Sequence, residues 1–268
     1  MGLEQWIEVG RMDELGRMAT PVHRIDARAK AVTTIIFIII IMSFPRYEVS
    51  ALVPFLFYPL VLISLGRIPL GFIFRKVLMS APFAFVIGIF NPFFDRQAAA
   101  SIGPFVISGG WLSFTSIMLR FVLTVGAALT LVACTGMYRL CAGLERIGLP
   151  RVFVVQLLLL YRYLFVVADE GARMMRSLEL RSAGLSSVRL VVYGSLVGHL
   201  LLRSMARAER IYQAMVARGF DGEIKIMQKT SLRLTDWAFL IGWTAFFVVA
   251  RLWNLADYAA RLLMRNAL

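Results

Sequence analysis

Two arginines at matched endings carry the chemistry this chain advertises most clearly. Arg218 sits in Ala217-Arg218-Gly219, and Arg181 sits in the related Leu180-Arg181-Ser182, 37 residues earlier. Each closes a long amphipathic stretch. A cation in the last turn complements the negative end of a helix dipole, and a glycine beyond it (Gly184 or Gly219) supplies the left-handed residue that stops the helix. A guanidinium held at a rigid helix tip is also placed for a paired hydrogen bond to a carboxylate on another protein.

Other reactive groups are sparse. There is no G-x-x-x-x-G-K-[ST] phosphate loop, so the chain lacks that means of hydrolysing ATP. His23 and His199 have no second ligand at metal spacing, and Cys134 and Cys141 fit neither a metal site nor a disulfide framework. All four read as structural. No serine or cysteine nucleophile has a plausible base nearby, so no catalytic, cofactor or metal residue is assigned. Arg120 stands apart. A helix starting near Gly110 places it ~15 Å from that end, where it either pairs with a polar group or snorkels from a helix that starts later.

The elements that must hold the arginines are mostly built for lipid. Of 268 residues, 59% are hydrophobic, yet the net charge is +13. Mean hydropathy is +0.75 and the pI is near 10.5. Apolar runs leave too little polar surface for a nucleic-acid-binding protein, so the basic charge is expected on the cytoplasmic side of a membrane. Uncharged runs occupy residues 31–44, 49–65 and 77–94, then 109–138 interrupted by Arg120, and finally 237–250. None of the five holds Asp, Glu or His, which argues against a proton-relay carrier. Several fall short of the ~20 residues needed to cross ~30 Å of hydrocarbon and must borrow flanking residues. Residues 1–20 carry six charged side chains and no apolar core of the kind found in a secretion signal.

All nine prolines lie at or before Pro150, with Pro54, Pro59 and Pro82 inside spans. Beyond Pro150, residues 150–184 and 188–220 each read as one long helix. Leu201, Met205, Ala208, Tyr212 and Met215 make one apolar stripe; Arg203, Arg207, Arg210 and Arg218 fall within roughly 80° of one another. On the earlier helix Arg162, Asp169, Arg173 and Arg176 share a face, with Asp169 set to pair with Arg173. Residues 139–233 contain fifteen of the 29 basic and seven of the sixteen acidic residues, leaving +8. With that block inside, the N-terminus and a loop bearing Arg67, Arg75 and Lys76 are inside too; the loops at Arg46 and Arg96 are outside. Arg251, Arg261 and Arg265 then follow an odd fifth span and break the rule.

The chain resembles the T component of energy-coupling factor (ECF) transporters, the CbiQ/EcfT family. The resemblance runs from HRIDARAK (23–30) through TGMYRLCAGLERIGLP (135–150) and LLLLYRYLFVVADEGARMMRSLELRSAGL (157–185) to AMVARGFDG (214–222), most of the chain. It implies an all-α multi-pass protein of the cell (inner) membrane, with about five transmembrane helices and a cytoplasmic coupling module. The expected divisions are 1–30, a cytoplasmic N-terminal segment; 31–136, helices 1–4; 137–233, coupling helices; and 234–268, the last span and tail. It implies no enzyme and no cofactor, because ATP is bound by partner ABC-type ATPase subunits. A separate substrate-binding membrane (S) subunit is the other partner beside the bilayer, and nucleic acid is none. By the same resemblance Leu180, Arg181, Ser182, Ala217, Arg218 and Gly219 engage the ATPases; Leu180 replaces the usual alanine. Arg173, Arg176, Arg203, Arg207 and Arg210 are the supporting basic faces. The closest branch is cobalt transport, with nickel, biotin or another vitamin as alternatives. A self-sufficient channel or carrier, or a membrane enzyme centred on Arg120, are the rivals.

Overall fold

The computed structural model describes residues 16, 18, 20–45, 48–91, 98–102, 105–181, 190–222 and 232–252. The chain divides into two compact units, one of residues 13–143 and 230–268, the other of residues 1–12 and 144–229. The helical, multi-pass class expected from sequence is what the structure has. One addition is an antiparallel pair, β1 (Ala98–Ile102) and β2 (Phe105–Ser108), with Ile102 opposite Phe105 and Ala100 opposite Ile107, and a register shift between Ala98 and Ala100.

The first unit is a helical bundle. A single turn, α1 (Pro21–Arg24), leads into α2 (Ala27–Met42), whose N-cap Asp26 accepts the Arg28 N–H at 2.9 Å. A 3₁₀ segment, Ser50–Leu56, then runs into α3 (Phe57–Gly66). Pro54 lies in the 3₁₀ turn; Pro59 lies in the first turn of α3, where a missing N–H leaves no carbonyl unpaired. Arg67, at φ 52°, takes the left-handed position that closes α3, with Ile68 N–H bonded to the Ile63 carbonyl. Gly66 is needed for packing instead: a Cβ there would come within 3.2 Å of Cys134 Sγ.

The third span begins earlier than its uncharged run. Helix α4 covers Leu70–Gly88, so Arg75 and Lys76 lie inside a helix rather than in a loop. The helix runs from Leu70 through Pro82 to Gly88, and Lys76 lies over the Phe72 ring, 5.8 Å from its centroid. Helix α5 (Gly109–Thr135) ends at Gly136, whose φ of 74° breaks the run expected to reach Tyr138; α6 (Met137–Ile147) follows. Helix α9 is Leu234–Leu252.

Among the described residues four helices are long and apolar enough to cross a membrane: α4, α5, α9 and Arg151–Arg181. Helix α2 has 16 residues and Ser50–Gly66 is shorter than a full span, as the short runs foretold. In lipid, burying an apolar side chain gains no hydrophobic free energy, so such helices associate through shape and polar contacts. The core is correspondingly aromatic. Phe37 of α2 lies 4.8 Å from Tyr58 and 5.2 Å from Phe247, and Tyr58 lies 4.9 Å from Trp243, joining α2, α3 and α9. The Thr34 hydroxyl shares a 2.8 Å hydrogen bond with Tyr58. Phe74, Leu78, Phe83 and Ile87 of α4 face outward, as lipid-facing residues do.

At one end of the bundle lies a buried polar knot. Asp236 accepts the Asp26 N–H at 2.9 Å on one oxygen and the Arg233 N–H at 2.8 Å on the other. Lys30, almost wholly buried, donates to the Cys134 carbonyl at 3.1 Å. His23 is buried and bonded to the Thr20 hydroxyl at 2.6 Å; Arg139 donates to the carbonyls of Gly16 and His23. Toward the other end of α2, Arg120 donates to the Pro45 carbonyl. Arg251 donates to the Ser43 carbonyl at 3.0 Å and lies 4.1 Å from the Phe44 ring centroid. Arg120 thus takes the first of its two expected roles, with a backbone carbonyl as the polar group. Cys134 and Cys141 are free and buried.

Helix α6 approaches the start of α2 through Gly143, where a Cβ would lie 2.9 Å from Ala27 Cβ and 3.2 Å from its carbonyl carbon. Gly143→Ala is therefore expected to cost about 1–3 kcal/mol. It should lower the unfolding temperature in detergent, whereas Gly71→Ala, with nothing within 4 Å of the new Cβ, should not.

Candidate coupling site

The second unit presents the two arginine endings. Its entry is defined by Gly148 at φ 121°, where Leu149 N–H bonds to the Leu144 carbonyl and Gly148 N–H to that of Glu145. Both bonds use carbonyls left open at a helix end. Pro150 follows, and its carbonyl receives the first bonds of α7 (Arg151–Arg181). Proline suits this place because its fixed φ is already helical. Helix α8 (Leu190–Ala217) is the second arm. With 31 and 28 residues, the helices are ~46 and ~42 Å long.

Arg181 is the last residue of α7, and Leu180 beside it is 79% exposed. Ser182 lies outside the described residues. At the other tip Ala217 and Arg218 are exposed. Gly219 holds φ 82°; its N–H bonds to the Val216 carbonyl at 2.9 Å, while Phe220 N–H bonds to that of Met215 at 3.0 Å. This pair of bonds is the Schellman cap, which requires a left-handed residue at that position. Arg218 is thus carried on a backbone fixed on both sides.

What joins the arms was not anticipated. Arg173 pairs with Glu170, three residues back, at 3.0 Å rather than with Asp169. The same carboxylate accepts Arg203 at 3.1 Å on Oε1 and Arg207 at 3.2 Å on Oε2. Three of the five basic residues expected on open faces therefore meet one acid between the helices; Arg176 and Arg210 are exposed. Arg203 and Arg207 are i,i+4 neighbours of like charge, which repel unless an anion lies between them. Val166, Val167, Leu200 and Ser204 line the same crossing.

Helix α8 therefore meets α7 with its arginine side and leaves its apolar stripe open: Leu201, Met205 and Tyr212 are all exposed, Met205 to 62%. Among the described residues no group of three His, Cys, Asp or Glu is arranged to hold a metal ion. The signal for the Glu170 cluster was present in the charge count. A block with fifteen bases and seven acids has about two bases for each acid, so an acid shared by several arginines is to be expected somewhere in it, although the count does not say where.

Glu170 lies beyond the apolar half of α7. Hydrogen bonds from Arg173 and then Arg203 hold its carboxyl below the usual carboxylate range. A depressed folded value means that the contribution is complete above the ordinary value near ~4.3 and fades only as pH falls through the lower one. Spin labels at Met175 and Met205 should accordingly report one interhelix distance from neutral pH into the ordinary carboxylate range. Broadening should begin only below that range.

The family of cobalt transport proteins denoted CbiQ matches residues 18–230. The chain is 26% identical to an energy-coupling factor transporter transmembrane protein, EcfT, of Heliobacterium modesticaldum, over 88% of this chain and 94% of that one. The EcfT of Bacillus subtilis is also 26% identical, over 75% and 81% respectively. The nickel permease LarQ of Lactiplantibacillus plantarum is 30% identical over 50% of this chain and 49% of its own.

Proposed function

We propose, from the premise that this chain belongs to the CbiQ family and is an ECF-type transmembrane component, that it passes the motion of ATPase subunits to a solute-binding membrane subunit. The observation that carries this reading is the pair of exposed arginine tips on two long helices joined at one polar crossing. ATP binding closes the partner ATPases. Acidic grooves on those subunits draw on Arg181 and Arg218, and Leu180, Ser182, Ala217 and Gly219 shape the two contacts. The helices tilt, and the exposed apolar side chains of α8 move the solute-binding subunit. In this scheme the chain is not catalytic and binds no cofactor; ATP stays with its partners.

The basic excess of residues 139–233 supports a reading in which the coupling helices and N-terminus lie on the cytoplasmic side of the cell membrane. Arg251 fits this orientation. Like Arg120, it serves the carbonyls of residues 43–45, at the end of α2 away from the cytoplasm, and so is held by a structural bond rather than left as a loose outside charge. The family description favours cobalt as the solute, and the likeness to LarQ keeps nickel as the second reading.

Charge reversal at both tips tests the scheme. A charge-assisted hydrogen bond contributes about 1.5–3 kcal/mol, so each lost tip should weaken ATPase association roughly 10- to 150-fold. Arg181→Glu with Arg218→Glu should leave no ATPase subunit in a mild-detergent pull-down and no ATP-driven uptake of labelled cobalt or nickel in vesicles. Intact assembly and uptake would overturn the proposal. Solute flux through the purified chain alone in liposomes would establish the self-sufficient carrier instead.

A further inference from the structure

We infer that Glu170 is the positioning residue of the coupling module: by accepting Arg203 and Arg207 from α8 and Arg173 from its own helix, it fixes the crossing of the arms and hence the spacing of their tips. The inference rests on the coupling function proposed above and specifies how the two tips are made to act together.

Three observations support it. First, the seam is thin. Beside Glu170 the crossing is lined by Val166, Val167 and Leu200, with Gly171 letting Leu200 Cδ2 approach to 3.5 Å from where a Cβ would be. Most large apolar side chains of α8 point elsewhere and are exposed, so they do not set the crossing angle. Second, the carboxylate uses both oxygens across the seam, Oε1 for Arg203 and Oε2 for Arg207. Bonds from one planar group to two residues a helical turn apart resist rotation as well as separation, which a single contact would not do.

Third, the cluster is placed as the fulcrum of equal arms. Arg181 is 11 residues beyond Glu170, and Arg218 is 11 residues beyond Arg207. At 1.5 Å per residue each tip is ~16 Å from the cluster, so a turn of ~10° about the crossing moves one tip by ~3 Å relative to the other helix. A shift of that size is as long as a hydrogen bond. If the angle is free, each arginine can follow its own ATPase subunit without moving its twin; if it is held, the two must move as one body. Three guanidiniums on one carboxylate also leave a surplus of two positive charges. Removing the anion therefore turns attraction between the helices into repulsion.

The test uses the complete transporter, with ATPase and solute-binding subunits, reconstituted in liposomes so that ATP hydrolysis and labelled cobalt or nickel uptake are read together. Glu170→Gln should still co-purify with the ATPases, because Arg181 and Arg218 are untouched. ATP hydrolysis should remain while solute moved per ATP falls at least about fivefold, the lower end of ordinary coupling effects. Spin labels at the exposed Ser177 and Gln213, about one turn short of the tips, should show a broadened distance between the arms. The swap Glu170→Arg with Arg207→Glu restores an opposite-charge pair across the seam and should recover part of the ratio. If Glu170→Gln does not fold, Arg203→Gln with Arg207→Gln cuts the same seam without altering α7 and should give the same uncoupling. A wild-type transport ratio and a sharp wild-type distance in either variant would overturn the inference. That result would leave the coupling function standing, since only loss of the tip arginines bears on it.

Discussion

The bundle depends on the carboxylate of Asp236. One oxygen holds the start of α9 through the Arg233 N–H, and the other holds the start of α2 through the Asp26 N–H, 210 residues away in sequence. A polar group withdrawn from water is costly unless its hydrogen bonds are supplied. Here two N–H groups supply them. Both N–H groups are helix-start donors that would otherwise lack partners. The same bonds therefore register the start of α2 against the start of α9. Lys30 and Arg139 act alike at the neighbouring helix ends, giving backbone carbonyls a donor where the chain turns. Hydrophobic burial cannot do this inside a bilayer, and the aromatic packing of Phe37, Tyr58 and Phe247 then adds shape to a framework already placed.

The second unit solves a different problem with the same chemistry inverted. The bundle satisfies isolated charges with backbone groups; the coupling helices satisfy one carboxylate with three side chains. Side-chain contacts of this kind are exposed and individually modest. On the coupling reading, contacts of this kind suit a part that must keep an angle. The apolar stripe of α8 is left exposed, with Leu201, Met205 and Tyr212 all uncovered.

Much of this was readable in the sequence. Helix periodicity gave the two long helices to within a few residues, because Pro150 starts one and Gly219 stops the other. The arginine tips were equally plain. Span boundaries were less so: Arg75 and Lys76 looked like a loop because charge was taken as an end of the helix, although a charge near a helix end can leave the apolar layer by its long stem. Asp236 and Lys30 each stand just outside an uncharged run, where a residue is expected to be wet. Only the fold shows that these positions face one another and are buried. Glu170 was hidden for a related reason. Pairing rules within one helix cover Arg173 but say nothing of Arg203 and Arg207, which reach it from another helix. The strand pair Ala98–Ile102 and Phe105–Ser108 had no alternating pattern strong enough to be seen.

The open stripe on α8 also bears on how much of this protein a cell retains. On the coupling reading, a copy without partners displays Leu201, Met205 and Tyr212 outside the bilayer. Contiguous apolar surface of that kind invites aggregation and proteolysis. Copies made in excess of their partners are the ones with the stripe uncovered, and they are the expected targets of degradation. Subunit balance would then need no dedicated sensor, because the surface used in assembly also marks the unassembled chain for removal.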